Sequence, residues 1–347
     1  MQPFWWRVLA PLALSGVLLA LCVPAAGAVR ADRAAEPPRV VYLTESIGCA
    51  DAFQRLLCDA FVRATRRTGV AGRIVSPTAR EDLRDVLSLL ARQPYDLVIA
   101  FGYGFPEALS EVAPRYPNVR FALMDRASKE VTDVGLTWPR NVQAVVFRTS
   151  EAAYLAGWLA GQLERARPGR DVVGVVGGIP IPSVTDFVIG FRAGVRRASS
   201  GARVLTAYSR DFLDASKCRA LARRQVARGA GVLFNIAGVC GLGTLDVAKE
   251  AGVWGIGVDT DQSFLGPHVL TSVVKRFEVG FVKLLREVKT GRIRTGGDTV
   301  LTLRDDAVGL GKISPKVPAS LRKEMRRLEG RIARGEIRVP GAFPRPR

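Results

Sequence analysis

Short apolar strands alternate with amphipathic helices along most of the chain, and this alternation limits the fold more than any other feature. Arg39–Thr44, Gly72–Val75, Asp96–Phe101 and Arg120–Met124 are apolar runs of strand length. Asp51–Arg67, Arg80–Arg92 and Pro106–Tyr116 separate them with helical spacing; in the first, Phe53, Leu57, Ala60, Phe61 and Ala64 share one face. The pattern restarts after the strand Asn141–Phe147. Asp171–Val176, Arg203–Tyr208, Gly231–Ile236 and Val253–Val258 are further strands. Helices fall at Glu151–Glu164, at Ser183–Ala198 and near 215–229 and 242–251. Alternation of this kind produces parallel sheets with right-handed crossovers. Two runs of it predict an α/β protein with two doubly wound, parallel-sheet lobes and a hinge. One lobe is expected to take 39–147 plus about 275–300, the other 148–274 plus about 301–340. A chain of 347 residues, 48% of them hydrophobic, has enough apolar material for two cores.

Ligands of open α/β sheets bind beyond the carboxyl ends of the strands. Two apolar runs end there in charge. One closes in Gly257, Val258, Asp259, Thr260, Asp261 and Gln262; the other, from Leu270, ends in Lys275. Two acids and an ammonium at one sheet edge suggest a site for a small polar molecule. Asp259 and Asp261 would share a face if the strand continued, which could suit an acid–base pair. Nothing else supports an enzyme. The single histidine, His268, lies by a Gly-Pro turn, and no nucleophile elbow, metal-ligand cluster, Walker loop or dinucleotide fingerprint occurs. Neither a catalytic residue, nor a metal, nor a cofactor is expected.

Three features bear on where the chain works. Arg7 precedes an apolar run from Val8 to Leu21, and small residues follow up to Ala28. This reads as a secretory leader over residues 1–28. The run is shorter than the ~20 residues needed to span a bilayer. Lipid modification at Cys22 is the alternative, although Leu21 before it is bulky for that. Four cysteines then remain: Cys49, Cys58, Cys218 and Cys240. Outside the cytoplasm an even number permits bridges, Cys49 with Cys58 and Cys218 with Cys240; buried free thiols are the other reading. The formal net charge is +19, with 11 Lys or Arg against 3 Glu from Lys312 to Arg347. An exported chain with no nucleic-acid motif makes nucleic acid a poor partner. Solvation, or attraction to an anionic surface, accounts better for the charge.

Five motifs in order carry a resemblance. They are Glu151–Gly157 (EAAYLAG), Gly177–Val184 with Phe187, Gly190, Phe191 and Gly194, Gly257–Gln262 (GVDTDQ), Ser272–Lys275 (SVVK), and Gly335–Pro340 (GEIRVP). The chain resembles the basic-membrane-protein family of substrate-binding proteins, which serve ABC-type nucleoside importers. The resemblance covers nearly all of the chain after the leader. It implies a type I periplasmic-binding-protein-like fold, a monomer, and a purine nucleoside held between the lobes for delivery to a membrane permease.

The resemblance also implies roles for residues. Phe53 and Phe187 would stack on the base, a use that suits their π-faces. Asp125 matches the base-binding acid, and Asp51 lies on the base side. Asp259 would accept from the ribose hydroxyls and Lys275 would donate to ribose oxygens. Gly238 would let backbone approach the ligand, and Asp261 would cap the segment that follows it. The first loop departs from the family pattern, with Glu45, Ala52 and Gln54 where Asp, Ser and Asn are usual. The glycine-rich loop at Gly238–Gly241 also carries bulkier middle residues. Base identity is therefore left open among guanosine, inosine and adenosine. Rival readings are an extracellular sensory binding protein and the same fold with a sugar or other ligand.

Overall fold

The computed structural model describes residues 37–45, 48–50, 52–77, 83–168 and 171–344. The leader, Cys22 and Asp51 lie outside them. In the first half, β1 (Arg39–Leu43), β2 (Ala71–Val75), β3 (Leu97–Phe101), β4 (Phe121–Met124) and β5 (Val142–Phe147) alternate with four helices. These are α1 (Ala52–Thr68), α2 (Leu83–Ala91), α3 (Phe105–Val112) and α4 (Ser128–Thr132). In the second half, α5 (Thr149–Ala166), α6 (Pro182–Ala198), α7 (Ala215–Ala227) and α8 (Leu242–Glu250) alternate with five strands. Those are β6 (Val172–Gly177), β7 (Arg203–Tyr208), β8 (Val232–Ile236), β9 (Trp254–Asp259) and β10 (Val269–Lys275). Next come α9 (Phe277–Lys289), β11 (Asp298–Leu301), β12 (Val308–Leu310) and α10 (Ala319–Ala333).

Two six-stranded sheets result. One has the order β2-β1-β3-β4-β5-β11 and is parallel throughout. The other repeats it as β7-β6-β8-β9-β10-β12, with only β12 antiparallel. Central strands such as β3, β4, β6 and β8 are buried from end to end. Helices cover both faces of a parallel sheet, so such strands are continuous apolar runs rather than alternating ones. The outer strand β2 instead exposes Ala71, Gly72 and Arg73.

The chain passes between the sheets after β5, after β10 and after β11. At the first passage α5 packs along α6 with almost no side chain between them. A Cβ on Gly157 would lie 2.1 Å from the Phe191 carbonyl oxygen, and one on Gly190 2.1 Å from that of Ser150. Gly194 is as close to Tyr154. The glycines of two of the family motifs thus hold backbone against backbone. Two disulfides, Cys49–Cys58 and Cys218–Cys240, have Cα separations of 6.0 and 5.6 Å, within the usual range. The first ties the turn after β1 to α1; the second ties α7 to the loop after β8.

Candidate functional site

Each sheet has its switch of winding direction at equivalent neighbours, β1/β3 and β6/β8, and loops leaving the strand ends there are the expected ligand site. A cavity of about 610 Å³ lies at those ends, between the lobes. That volume is in the range of small-molecule sites. The first lobe contributes Glu45, Phe53, Gln54, Phe101, Gly102, Tyr103, Asp125 and Arg126. The second contributes Ile181, Val184 and Phe187 around the start of α6, Arg210, Asp211 and Phe212 after β7, Gly238 after β8, Asp259 and Lys275.

At one end of the cavity three charges meet. Lys275 Nζ donates to both Asp125 oxygens, at 2.9 and 2.8 Å, and stands 3.9 Å from Asp259 Oδ1. Asp125 follows β4 in one sheet, whereas Asp259 and Lys275 end β9 and β10 in the other, so the ammonium joins the lobes. Both aspartates adopt the left-handed backbone, φ 65° and 64°. Aspartate tolerates that region better than most residues, and such geometry concentrates at binding sites. Burial pushes the Asp259 carboxyl up to about 6, with Asp125 adding to the rise and Lys275 opposing it. Burial also works against the Lys275 charge, but the two carboxylates outweigh it and hold the lysine above its ordinary value.

The loop carrying Asp259 is fixed from behind. Gln262 Oε1 accepts from the Val258 N–H at 2.9 Å, and the Gln262 N–H donates to Ser272 Oγ at 2.9 Å. A Cβ on Gly257 would strike both of these side chains at 2.5 Å. Glycine, glutamine and serine in the two motifs therefore act as a frame for the acid. Asp261 turns away from the ligand role: it accepts from the backbone of Ser263 at 3.1 Å and of Lys312 at 3.3 Å.

The walls beyond the charges are aromatic. Phe187 packs edge-on to Phe234, and Lys275 Nζ lies 5.2 Å from its ring centroid. Phe53 packs against Phe101 and Phe277, with centroids 5.8 and 5.9 Å away. Gly238 has φ 55° and lies 3.3 Å, at its Cβ position, from the Phe212 carbonyl oxygen. Six of the seven anticipated residues, Phe53, Asp125, Phe187, Gly238, Asp259 and Lys275, thus line one cavity. The seventh, Asp51, is outside the described residues.

Asp125, which the resemblance gives to the base, has both its oxygens on Lys275. Its neighbour Arg126 pairs instead with Glu130 at 3.1 Å and lies under the Tyr103 ring. Several lining residues are additional to those seven. Glu45 Oε1 accepts from the Gly104 N–H at 3.0 Å and occupies the space where a Gly102 side chain would be. Phe212 fills the space that Gly178 leaves, its ring 2.3 Å from a Cβ there. Glycines beside strand ends, at 102 and 178, were the available signal. His268 is not among the lining residues. Among the described residues no group of three or more acids, cysteines or histidines could hold a metal, and no helix is long and apolar enough to cross a membrane.

Two parallel-sheet lobes, with converging strand ends around a polar and aromatic cavity, are the architecture of a two-lobed small-molecule-binding protein. Residues 50–342 match the Bmp family, ABC transporter substrate-binding protein PnrA-like, and the chain belongs to that family. It is 30% identical over 250 residues to basic membrane protein B of Borrelia garinii, covering 71% of this chain and 69% of that one. It is 28% identical to an uncharacterized lipoprotein of Pyrococcus abyssi, covering 86% and 75%. A solved ABC transporter solute-binding protein from Aeropyrum pernix shares the fold, with a TM-score of 0.72, 24% identity and coverage of 88% and 94%. The family is extracytoplasmic, and its members bind a small molecule and a membrane permease.

Proposed function

We propose that this protein captures a purine nucleoside in the cleft and presents it to an ABC permease. The observation that carries this reading is the gap between Lys275 and Asp259. At 3.9 Å the two are too far apart for a good hydrogen bond. A ribose hydroxyl between them can accept from the ammonium and donate to the carboxylate, and a vicinal hydroxyl can reach the same carboxylate. Asp125 belongs to this polar end, where it holds the ammonium in place. The base then extends between Phe53 and Phe187, with Glu45 and Gln54 at the altered end of the pocket. A base there exchanges water for aromatic contact, and stacking is tolerant of base identity.

Closure follows from differential affinity. A ligand that touches both lobes binds the closed form better and shifts the hinge toward it. The moving bodies in this reading are 39–147 with about 275–300, and 148–274 with about 301–340, Lys275 moving with β9 and β10 in the second. The leader over residues 1–28 exports the protein, which acts as a monomer with no cofactor or catalysis; a lipid at Cys22 would tether it. Isothermal titration of the ligand-stripped protein against guanosine, inosine, adenosine, uridine and ribose tests the assignment. Tight binding of a purine nucleoside and none of ribose is the expected result. Absence of heat with every nucleoside would overturn it.

A further inference from the structure

The last family motif, Gly335–Pro340, plays no part in the cleft, and the segment that follows it has its own network. Val339 and Phe343 are buried. Phe343 packs on Ala127, Val146 and Val300, all from the first lobe. One residue earlier, the Ala342 N–H donates to Asp186 Oδ1 of α6, in the second lobe, at 2.6 Å. The other oxygen of Asp186 accepts from Thr149 Oγ1 at 3.0 Å and from the Ser150 N–H at 2.7 Å. Arg148, on the first passage between the lobes, donates to the carbonyl oxygens of Val339 and Phe343 and pairs with Glu151. Glu151 in turn accepts from the Leu303 N–H at 3.0 Å, on the third passage. Gly341 is tightly enclosed, since a Cβ there would lie 2.5 Å from both Asp186 Oδ1 and Ser150 Oγ.

We infer that Val339–Phe343 is a positioning strap that fastens the two lobes at the hinge and sets the cleft walls. Both of its anchors lead directly into the cavity. Asp186 precedes Phe187, so the strap fixes the turn of α6 that carries this aromatic wall. Ala127 lies two residues beyond Asp125, so Phe343 backs the loop that presents this acid to Lys275. A strap that bridges two bodies limits the orientations they sample. Its loss leaves every cleft residue in place in sequence but lowers the population of the binding-competent arrangement. The strap's part in affinity rests on the cleft being the ligand site; its part in ordering the hinge does not.

Three variants of the full chain test this. Phe343→Ala removes the first-lobe anchor, Gly341→Ala forces the segment off Asp186, and Leu328→Ala in α10, outside the strap and its hydrogen bonds, serves as a destabilised control. Amide hydrogen exchange without ligand is the first readout. Phe343→Ala and Gly341→Ala should speed exchange at 125–131 and 183–190, and Leu328→Ala at equal loss of melting temperature should not. Titration with whichever nucleoside binds the unaltered protein is the second. Both strap variants should weaken it about tenfold, as expected if the competent fraction falls to about a tenth. Unchanged exchange at those two segments, or an equal change in Leu328→Ala, would refute the strap even if no nucleoside binds. Altered exchange with unchanged affinity would refute its role in setting the cleft.

Discussion

Two buried charge clusters, one at the crossings between the lobes and one in the cleft, differ in what remains open. In one, Asp186 is fully enclosed and receives three hydrogen bonds, from Thr149, Ser150 and Ala342. In the other, Asp259 has the Lys275 ammonium 3.9 Å from its Oδ1, and the residue lines a cavity. Burial raises the pKa of both acids. A raised pKa therefore does not distinguish a site from a scaffold in this protein. Unused hydrogen-bonding capacity beside an open volume does. Asp186 has its acceptors filled by backbone and hydroxyl groups, whereas Asp259 stands beside the cavity with its ion-pair partner at 3.9 Å.

Alanine at each acid should separate the two most sharply. Asp186→Ala leaves buried donors unpaired at Ser150, Thr149 and Ala342, and removes a charge that Arg148 and Lys275 feel. It should cost about 3–5 kcal/mol of stability, the usual result of breaking a buried charged group's partnerships, read from urea unfolding. Asp259→Ala should have the reverse profile. Removing an acid that burial disfavours in its charged form, and whose ion-pair partner stands 3.9 Å away, should leave the unfolding midpoint nearly unchanged. Nucleoside binding should weaken by about 3 kcal/mol, from the loss of two charge-assisted hydrogen bonds, as measured by titration. If Asp259→Ala unfolds the protein and Asp186→Ala merely weakens binding, the contrast between the clusters is wrong.

How far each cluster could be read from sequence follows the same division. The strands that deliver Asp125, Asp259 and Lys275 are buried on both faces, so they stand out as apolar runs, and the charge that ends each run is conspicuous. The pairing of Asp125 with Lys275 was not legible, because 150 residues separate them and only the meeting of two sheets brings them together. Asp186 sits inside a helix among Val184, Phe187 and Val188, where nothing local marks it as an anchor. The strands β11 and β12 have four and three residues, too short for a periodic signal, and their place is decided by the sheet edges they join. The basic segment from Lys312 reads as part of the second lobe with its charge solvated, and Met325, Leu328 and Ile332 bury the other face of α10. The motif glycines were visible, but their purpose lay in the partner each one admits, such as Gln262 and Ser272 beside Gly257.

The aromatic end of the cavity gives a smaller and more uniform effect. Phe53→Ala should weaken all purine nucleosides alike by roughly 1–3 kcal/mol, the range for loss of a stacking ring. Titration of guanosine, inosine and adenosine in parallel checks this. A loss confined to one base would assign Phe53 to edge recognition instead of stacking, and would move the site's selectivity away from Glu45 and Gln54.

The smallest effect tests the open acid by pH. The folded-state pKa of Asp259, about 6, is above its ordinary 3.8. The sign for folding is that its contribution to stability is fully present below about pH 3.8 and is lost as pH rises through 6. Binding has the opposite sign, since only the ionised carboxylate accepts from two hydroxyls. At pH 5 about a tenth of a group titrating near 6 is ionised, so affinity should fall about tenfold between pH 7 and pH 5. Titrations near pH 6 in buffers of different ionisation enthalpy should also register proton release as the nucleoside binds. Asp259→Asn should remove both the pH slope and the released proton while keeping an acceptor in place. A slope that persists in Asp259→Asn would place the titrating group elsewhere and leave Asp259 a scaffold residue like Asp186.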